Sequence, residues 1–317
     1  MRTVIRDSNT VHLFGTHHLL SHETLQDLRE NPPSYLTEAL QESEAAFFEY
    51  VELPEDFWDT HLALHRYGTP DHPSLQSVIG QWDATRQEAF LSSLSAFPGM
   101  DHVSRRASVL DMQPWAASWY IDTFHIPSTL GGDSTSRVAV DDWIKEEALQ
   151  RQMTRIGLED SDPHAAGRTF ANMDPEAELL ALEALLHARP DRETLVDAWR
   201  SRYRRSSDRY IEGRPSDWRE VFDREYLRAV GVPEDRIAAV DDALENRRAD
   251  WSRERDSLWA SVLEDALDDE DDTVFVAVGY SHLTEQPGVL LSILLERGFE
   301  IDTVYPESAA AALSATE

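Results

Sequence analysis

Cysteine is absent from this 317-residue chain. Disulfide bonds, thiolate metal sites and cysteine nucleophiles are therefore excluded. Lysine is nearly absent as well, because Lys145 is the single lysine and every other basic residue is arginine. Long apolar runs are also missing, since no stretch approaches the roughly 20 residues that a membrane-spanning helix requires. The sequence thus predicts a chain that does not cross a membrane.

The N-terminus lacks the apolar core of a signal peptide. Charged residues begin at Arg2 and recur at Arg6 and Asp7. We therefore expect a cytoplasmic location.

Two common motifs of catalysis and nucleotide binding are missing too. Ser281 lies in Gly-Tyr-Ser-His, which lacks the second glycine of the Gly-x-Ser-x-Gly nucleophile motif. The pair Gly131-Gly132 is not followed by the lysine of a phosphate-binding loop. Neither a serine hydrolase of that type nor a P-loop nucleotide enzyme is indicated.

Negative charge dominates what is present, with 60 acidic residues against 29 basic ones and a net charge of −31. Such a chain repels nucleic acids and anionic membrane surfaces, so we predict that neither is a partner. Apolar residues make up 41% of the chain and predict a packed core rather than disorder. A lysine-poor acidic surface is typical of adaptation to high salt, where ions screen self-repulsion, and it predicts a halophilic protein.

The hydrophobic pattern predicts an α/β fold with a central mixed or mainly parallel sheet, flanked by helices. The main strands are expected at 10–14, 45–51, 273–278 and 299–305, with shorter ones near 138 and at 154–159. A large helical insertion is predicted at about 55–135, and a second helical region at about 174–268. Because the strand motifs lie at opposite ends of the chain, we predict that residues 1–317 form a single domain.

Two of these strands end in the same motif, Gly-x-x-His. The first contains Gly15 and His18, and the second contains Gly279 and His282. Residues that follow a strand in an α/β sheet lie at its carboxyl edge, where ligands bind. The glycine allows a sharp turn with positive φ and lets a ligand or a second backbone come close. If the two strands are neighbours, both histidines come within reach of one ion or one substrate atom.

Glu49 is a lone acid in the apolar stretch 45–51. An unpaired buried carboxylate is unfavourable, so Glu49 needs either a bound cation or an arginine such as Arg255. Together with His18 and His282 it would make three ligands, which is the open arrangement of catalytic zinc, manganese or cobalt sites. The alternative is that both histidines only form hydrogen bonds within loops.

The same stretches resemble the TraB/GumN family, which includes the Tiki-type metalloproteases. The resemblance extends from about residue 10 to about residue 305. It rests on Gly15-Thr16-His17-His18, Glu49 in its strand, Met112-Gln113-Pro114-Trp115, the stretch from Val276 to Leu283, and Gly298-Phe299. In a helix before the last motif, the Arg-Asn pair of the family is replaced by Arg255-Asp256.

The resemblance implies a metal-dependent, peptidase-like hydrolase in which His18, Glu49 and His282 hold a divalent ion (Mn, Co or Zn). Arg255 would then stabilise the negative charge that develops on a carbonyl oxygen. Glu159, expected at the end of a strand on the same edge, is a candidate general base, although a capping or solvated acid is the alternative. The implied substrate is a peptide or another small molecule.

Two other functions stay open. The chain could bind and sequester a peptide or pheromone without cleaving it, or it could be a metal-free esterase that uses a histidine as general base. The sequence neither requires nor excludes a homo-oligomer.

Other histidines and arginines are assigned to simpler roles. His17 is expected to point away from the site on an extended segment and to support it. His61 and His65 are four residues apart, but no glutamate follows His61 as in the zinc-protease motif, so we expect a packed or solvated pair. The basic cluster from Arg202 to Arg209 is expected to be a solvated helix face.

Overall fold

A computed structural model gives the fold and describes residues 1–17, 20–51, 67–69, 71–127, 137–162, 164–171, 175–211, 224–246, 252–267, 272–283 and 289–304. The predictions for His18, His61, His65 and Gly131-Gly132 concern positions outside the described residues.

The described strands form a six-stranded sheet and a separate two-stranded one. The strands are β1 Arg2–Arg6, β2 Asn9–Thr16, β3 Leu20–Ser21, β4 Ala45–Phe48, β5 Arg137–Val138, β6 Thr154–Gly157, β7 Thr273–Gly279 and β8 Glu300–Val304. The large sheet has the order β6-β4-β7-β2-β1-β8. The strands β6, β4, β7 and β2 are parallel, whereas β1 is antiparallel to both of its neighbours. The predicted mixed, mainly parallel sheet is confirmed.

The helices surround this sheet and continue beyond it. They are α1 His22–Glu30, α2 Ser34–Glu42, α3 Leu75–Ile79, α4 Ala84–Ala96, α5 Val103–Asp111, α6 Pro114–Trp119, α7 Val140–Gln150, α8 Ala165–Ala171, α9 Pro175–Ala188, α10 Arg192–Ile211, α11 Arg224–Ala229, α12 Glu234–Asn246, α13 Arg253–Ala266 and α14 Leu290–Glu296. A π-helix, Tyr120–His125, follows α6, and a 3-10 turn, Tyr280–Leu283, follows β7. None of the helices in the described ranges is long and apolar enough to cross a membrane.

Strand β1 was not predicted, because its charged residues interrupt the apolar pattern. It forms a hairpin with β2, and Asp7 adopts a φ of 57° at the turn. Val4 is fully buried in β1, and the strand also pairs with β8. The sheet therefore joins the two ends of the described chain through backbone hydrogen bonds, which a residue pattern does not reveal.

Alternating side chains give the sheet two buried faces, as expected for parallel strands covered on both sides. In β7, Val276 and Val278 pack on the face covered by α13 and α14. Phe275 and Ala277 pack on the opposite face, against α2 and α7. The helix α13 on the first of these faces carries Arg255.

A third hydrophobic core lies within the two predicted helical regions. Helix α9 packs against α4, α6 and α12, and buried aromatic residues such as Trp115, Trp199 and Tyr226 fill the space between them. Two of these helices begin with proline at the first position, where the missing N–H is not needed (Pro114 in α6 and Pro175 in α9). The described parts of both regions are mostly helical, and their helices pack together.

The solvated-face prediction is wrong for Arg202. Its guanidinium is buried and binds the buried carboxylate of Asp122 through two hydrogen bonds, of 2.7 and 2.6 Å. Asp122 lies in the π-helix, and its carbonyl accepts a hydrogen bond from the indole of Trp199. This pair is a structural contact inside the helical core. Arg205, in contrast, pairs with the exposed Glu225, as predicted for a helix face.

Candidate functional site

The carboxyl ends of four parallel strands meet at one edge of the sheet. Strands β2 and β7 are neighbours, with Thr16 opposite Gly279. Strand β4 lies on the other side of β7, with Phe48 opposite Ala277, and β6 follows β4. The two Gly-x-x-His strands are therefore neighbours, which is the condition that the sequence argument required. Glu49, which directly follows β4, lies at the same edge.

Gly15 serves close approach and not a left-handed turn. Neither Gly15 nor Gly279 has a positive φ, so that part of the prediction was wrong. A Cβ atom on Gly15 would lie 2.6 Å from Cδ2 and 3.1 Å from Cα of Tyr280. The absence of a side chain at Gly15 thus allows the turn after β7 to pack directly on β2.

Glu49 connects the end of β4 to β7 and to α13. Its Oε1 accepts a hydrogen bond of 2.8 Å from the backbone N–H of Gly279, and its Oε2 accepts one of 2.8 Å from Nη2 of Arg255. The carboxylate is 17% exposed. The structure thus provides the arginine partner that the sequence offered as one of two possibilities, and it ties Glu49 to the second histidine motif.

Arg255 lies between two carboxylates. Its Nε donates to Oε1 of Glu159, and the hydroxyl of Tyr50 donates to Oε2 of the same carboxylate. Glu159 is fully buried and therefore is not a solvated acid, and both of its oxygens accept from the side chains of Tyr50 and Arg255. We call Glu49, Tyr50, Glu159 and Arg255 the Arg255 cluster. Trp259, one turn along α13, stacks its ring under the guanidinium at 4.4 Å.

Protonation in the Arg255 cluster follows from burial. Desolvation raises the pKa of Glu159, against the opposing charge of Arg255. Desolvation and the charge of Glu159 raise the pKa of Tyr50, so its phenol keeps the proton that it donates. Burial disfavours the charge of Arg255, but Glu159 and Glu49 outweigh this effect and raise its pKa. The guanidinium therefore stays charged.

His282 lies in the 3-10 turn after β7 and is 5% exposed. Its Nδ1 is 2.8 Å from Oδ1 of Asp256, a fully buried residue of α13. The second carboxylate oxygen of Asp256 accepts a hydrogen bond of 2.8 Å from Oγ of Ser252. Trp259 packs against the imidazole, with 4.7 Å between the ring centroids. Arg255 and Asp256, which are consecutive in α13, thus contact Glu49 and His282 respectively. One helix therefore positions both side chains.

The contact between Asp256 and His282 was not predicted. The sequence marked Asp256 only as a replacement for the asparagine of the family. It lies among other acids in 254–272. No local signal distinguishes it from its solvated neighbours, because burial is set by the packing of α13 on the sheet.

Helix α10 closes over the end of β2. Nε2 of His17 is 2.9 Å from Oγ of Ser206, and its ring meets that of Tyr210 edge to face at 5.3 Å. The hydroxyl of Tyr210 donates a hydrogen bond of 2.8 Å to the carbonyl of Gly15. These contacts anchor the segment before His18 to the helical region.

A small cavity of about 50 Å³ adjoins this edge. Five aromatic residues contribute to its lining, Phe14, Tyr35, Trp143, Tyr210 and Tyr280. Gly15 and Tyr280 place the two histidine motifs beside this cavity.

The metal-ligand hypothesis concerns a residue that the structure does not describe. Within the described ranges, no group of three or more His, Asp and Glu side chains is arranged to hold a metal ion. Glu49 and His282 lie at the same sheet edge, and His18 follows the described end of β2. The three-residue set therefore stays a prediction.

Comparison with known proteins defines the family. No curated protein and no solved structure was found to match the chain. The profile of the TraB/PrgY/gumN family matches residues 1–303. This range includes both histidine motifs, Glu49 and the helix that carries Arg255 and Asp256. The chain therefore belongs to the TraB/PrgY/gumN family.

Proposed function

We propose that this protein is a metal-dependent, peptidase-like hydrolase in which His18, Glu49 and His282 hold one divalent ion, Mn, Co or Zn. The proposal is carried by the hydrogen bond between the N–H of Gly279 and Oε1 of Glu49. That bond joins the acid after β4 to the motif that ends in His282, across neighbouring parallel strands. An imidazole and a carboxylate at one edge are ligands that these metals favour.

The acids at this edge are compatible with a bound cation. Glu49, Glu159 and Asp256 are buried or nearly so, and Arg255 contacts the first two. A divalent cation would add positive charge beside these carboxylates.

The residues of the chain can be assigned specific tasks. A bound divalent ion would supply Lewis-acid activation of water and of the scissile carbonyl. Arg255 uses Nε and Nη2 to bind Glu159 and Glu49, which leaves Nη1 as a donor toward a substrate carbonyl oxygen. Glu159 is fully buried and bonded through both oxygens. We therefore propose that Glu159 orients Arg255 and does not act as the general base.

The test is the metal content of protein purified without chelator. We expect about one ion per chain in the wild type. His18→Ala and His282→Ala should both lose the ion and lose peptide hydrolysis with it. His102→Ala, at an exposed position before α5, is the matched control and should retain both. Wild-type protein that stays empty after addition of Mn, Co or Zn would overturn the proposal.

A second candidate, a metal-free esterase, is favoured by one observation. The carboxylate of Asp256 beside Nδ1 of His282 is the arrangement that orients a histidine general base. Ester hydrolysis that survives chelation and is lost in His282→Ala would identify this activity. Peptide binding without product would instead identify a sequestering protein.

A further inference from the structure

The buried side chain of Asp256 faces the imidazole of His282 at a polar contact that the sequence did not predict. Asp256 has no exposed surface, and its Oδ1 lies 2.8 Å from Nδ1 of His282. Both atoms are sealed from solvent, and neither has a hydrogen-bond partner among the described residues. The two atoms are therefore close enough to interact electrostatically, although the contact does not have the geometry of a hydrogen bond.

The other side of the carboxylate is already occupied. Ser252 donates its hydroxyl to Oδ2, and Ser252 is itself buried. Oδ1 is thus the acceptor that needs a donor, because a buried carboxylate oxygen without one is unfavourable. An N–H at Nδ1 of His282, 2.8 Å away, can supply the positive end of a dipole.

This arrangement selects one form of the ring. A carboxylate is an acceptor only, whereas a neutral imidazole carries its single proton on either nitrogen. A proton on Nδ1 places a donor against the carboxylate oxygen, whereas a proton on Nε2 would place two acceptors against each other at 2.8 Å. The packing of Trp259 on the ring, at 4.7 Å, hinders its rotation away from Asp256.

We propose that Asp256 is a positioning residue that holds His282 in the Nδ1–H tautomer. The lone pair on Nε2 then stays available to bind a cation or accept a proton at the sheet edge. The inference rests on the proposed function in that it treats His282 as a site residue. The Nδ1–H tautomer suits His282 either as a ligand to a cation or as a general base, because both roles use an unprotonated nitrogen. Carboxylates that bind the second nitrogen of a metal-ligating histidine act in this way in other proteins.

The test is nitrogen NMR of metal-free protein labelled with ¹⁵N-histidine, at about pH 8.5, where an ordinary imidazole is neutral. The signals of His282 are assigned by their loss in His282→Gln. We expect the Nδ1–H tautomer in the wild type. Asp256→Asn should shift the tautomer ratio at least tenfold toward Nε2–H and weaken Mn or Zn binding by about 10- to 100-fold.

Ser252→Ala is the matched control, because it removes a hydrogen bond to the same carboxylate but keeps its charge. It should keep the Nδ1–H form. A merely structural role for Asp256 would change stability in both variants and leave the tautomer of His282 alone.

Each outcome decides the proposal. An Nε2–H tautomer in the wild type overturns it, even where Asp256→Asn does not fold. An unchanged tautomer in folded Asp256→Asn overturns it as well, whether or not the protein binds metal. The expected tautomer and its loss in Asp256→Asn support it even in a protein that binds no metal, which would leave His282 as a base and reject only the metal-dependent function.

Discussion

Glu49 and Arg255 are 206 positions apart in the sequence, and their side chains meet in a hydrogen bond of 2.8 Å. The contact connects the loop after β4 to helix α13. Through Glu159 and Gly279 it reaches two further strands of the sheet. Arg255 is therefore both a candidate contact for substrate and a structural link between the site and the core.

Loss of the Arg255 guanidinium should destabilise the fold strongly. In Arg255→Met, the buried Glu159 and the largely buried Glu49 lose their shared cation. Removal of one partner from a buried ion pair typically costs about 3–5 kcal/mol. We expect a decrease of about 3 kcal/mol in the free energy of unfolding, measured by urea titration.

Arg253→Met is the matched control, two positions earlier on the same helix. Arg253 pairs with Glu296 at 3.1 Å, and both side chains are about half exposed. An exposed pair of this kind contributes at most about 1 kcal/mol. Equal effects of the two substitutions would contradict the importance of the Arg255 cluster for stability.

A side chain at Gly15 should disturb the second histidine motif. The Cβ atom of Gly15→Ala would overlap Tyr280, and overpacking of this kind typically costs about 1–3 kcal/mol. We expect lower thermal stability and weaker metal binding, because the displaced turn carries His282. The double variant Gly15→Ala/Tyr280→Ala removes the closest clash and should recover part of the loss. Equal stability of the single variant and the wild type would contradict this packing.

His12 should make the protein sensitive to acid. Burial lowers its pKa in the folded state, although Glu42, 3.6 Å from its Nε2, acts in the opposite direction. The unfolded chain therefore binds a proton first as the pH falls below about 6.5, and this favours unfolding. The contribution of neutral His12 to stability is present at higher pH and is lost as the pH falls through this window.

His12→Gln removes that titration. We expect the unfolding free energy of the wild type, relative to the variant, to decrease between about pH 8 and about pH 5. Chemical denaturation at the two pH values provides the measurement. If the difference in unfolding free energy between the two proteins is the same at both pH values, protonation of His12 is not coupled to folding in this range.

Salt should stabilise the protein because of its net charge of −31. The Debye length falls from about 10 Å at 0.1 M salt to about 3 Å at 1 M, so KCl screens repulsion among surface carboxylates. We expect the thermal midpoint to rise by roughly 5 °C or more, mostly below about 1 M. A flat response would contradict a halophilic adaptation, and a steady rise far beyond 1 M would indicate salt exclusion from the surface instead.

Local sequence patterns predicted several elements well. The apolar stretches that became β2, β4 and β7 are recognisable because each buries both faces. The end of α14 is recognisable from Gly298, which adopts a φ of 91° that other residues avoid. Strand β1 was missed because only its pairing with β2 and β8 compensates for its charged ends.

The sequence by itself determined the α/β class, the helical regions and the placement of Glu49 and the His282 motif at strand ends, since strand periodicity and glycine signals act over a few residues. Only the tertiary structure decided which acids are buried and what they contact. Glu159 and Asp256 resemble any of the 60 acidic residues in local context. Their proximity to Arg255 and His282 arises from the packing of α13 on the sheet, which also brings together Glu49 and Arg255, 206 positions apart. Burial and long-range pairing depend on the folded packing, so residue spacing did not predict these partners.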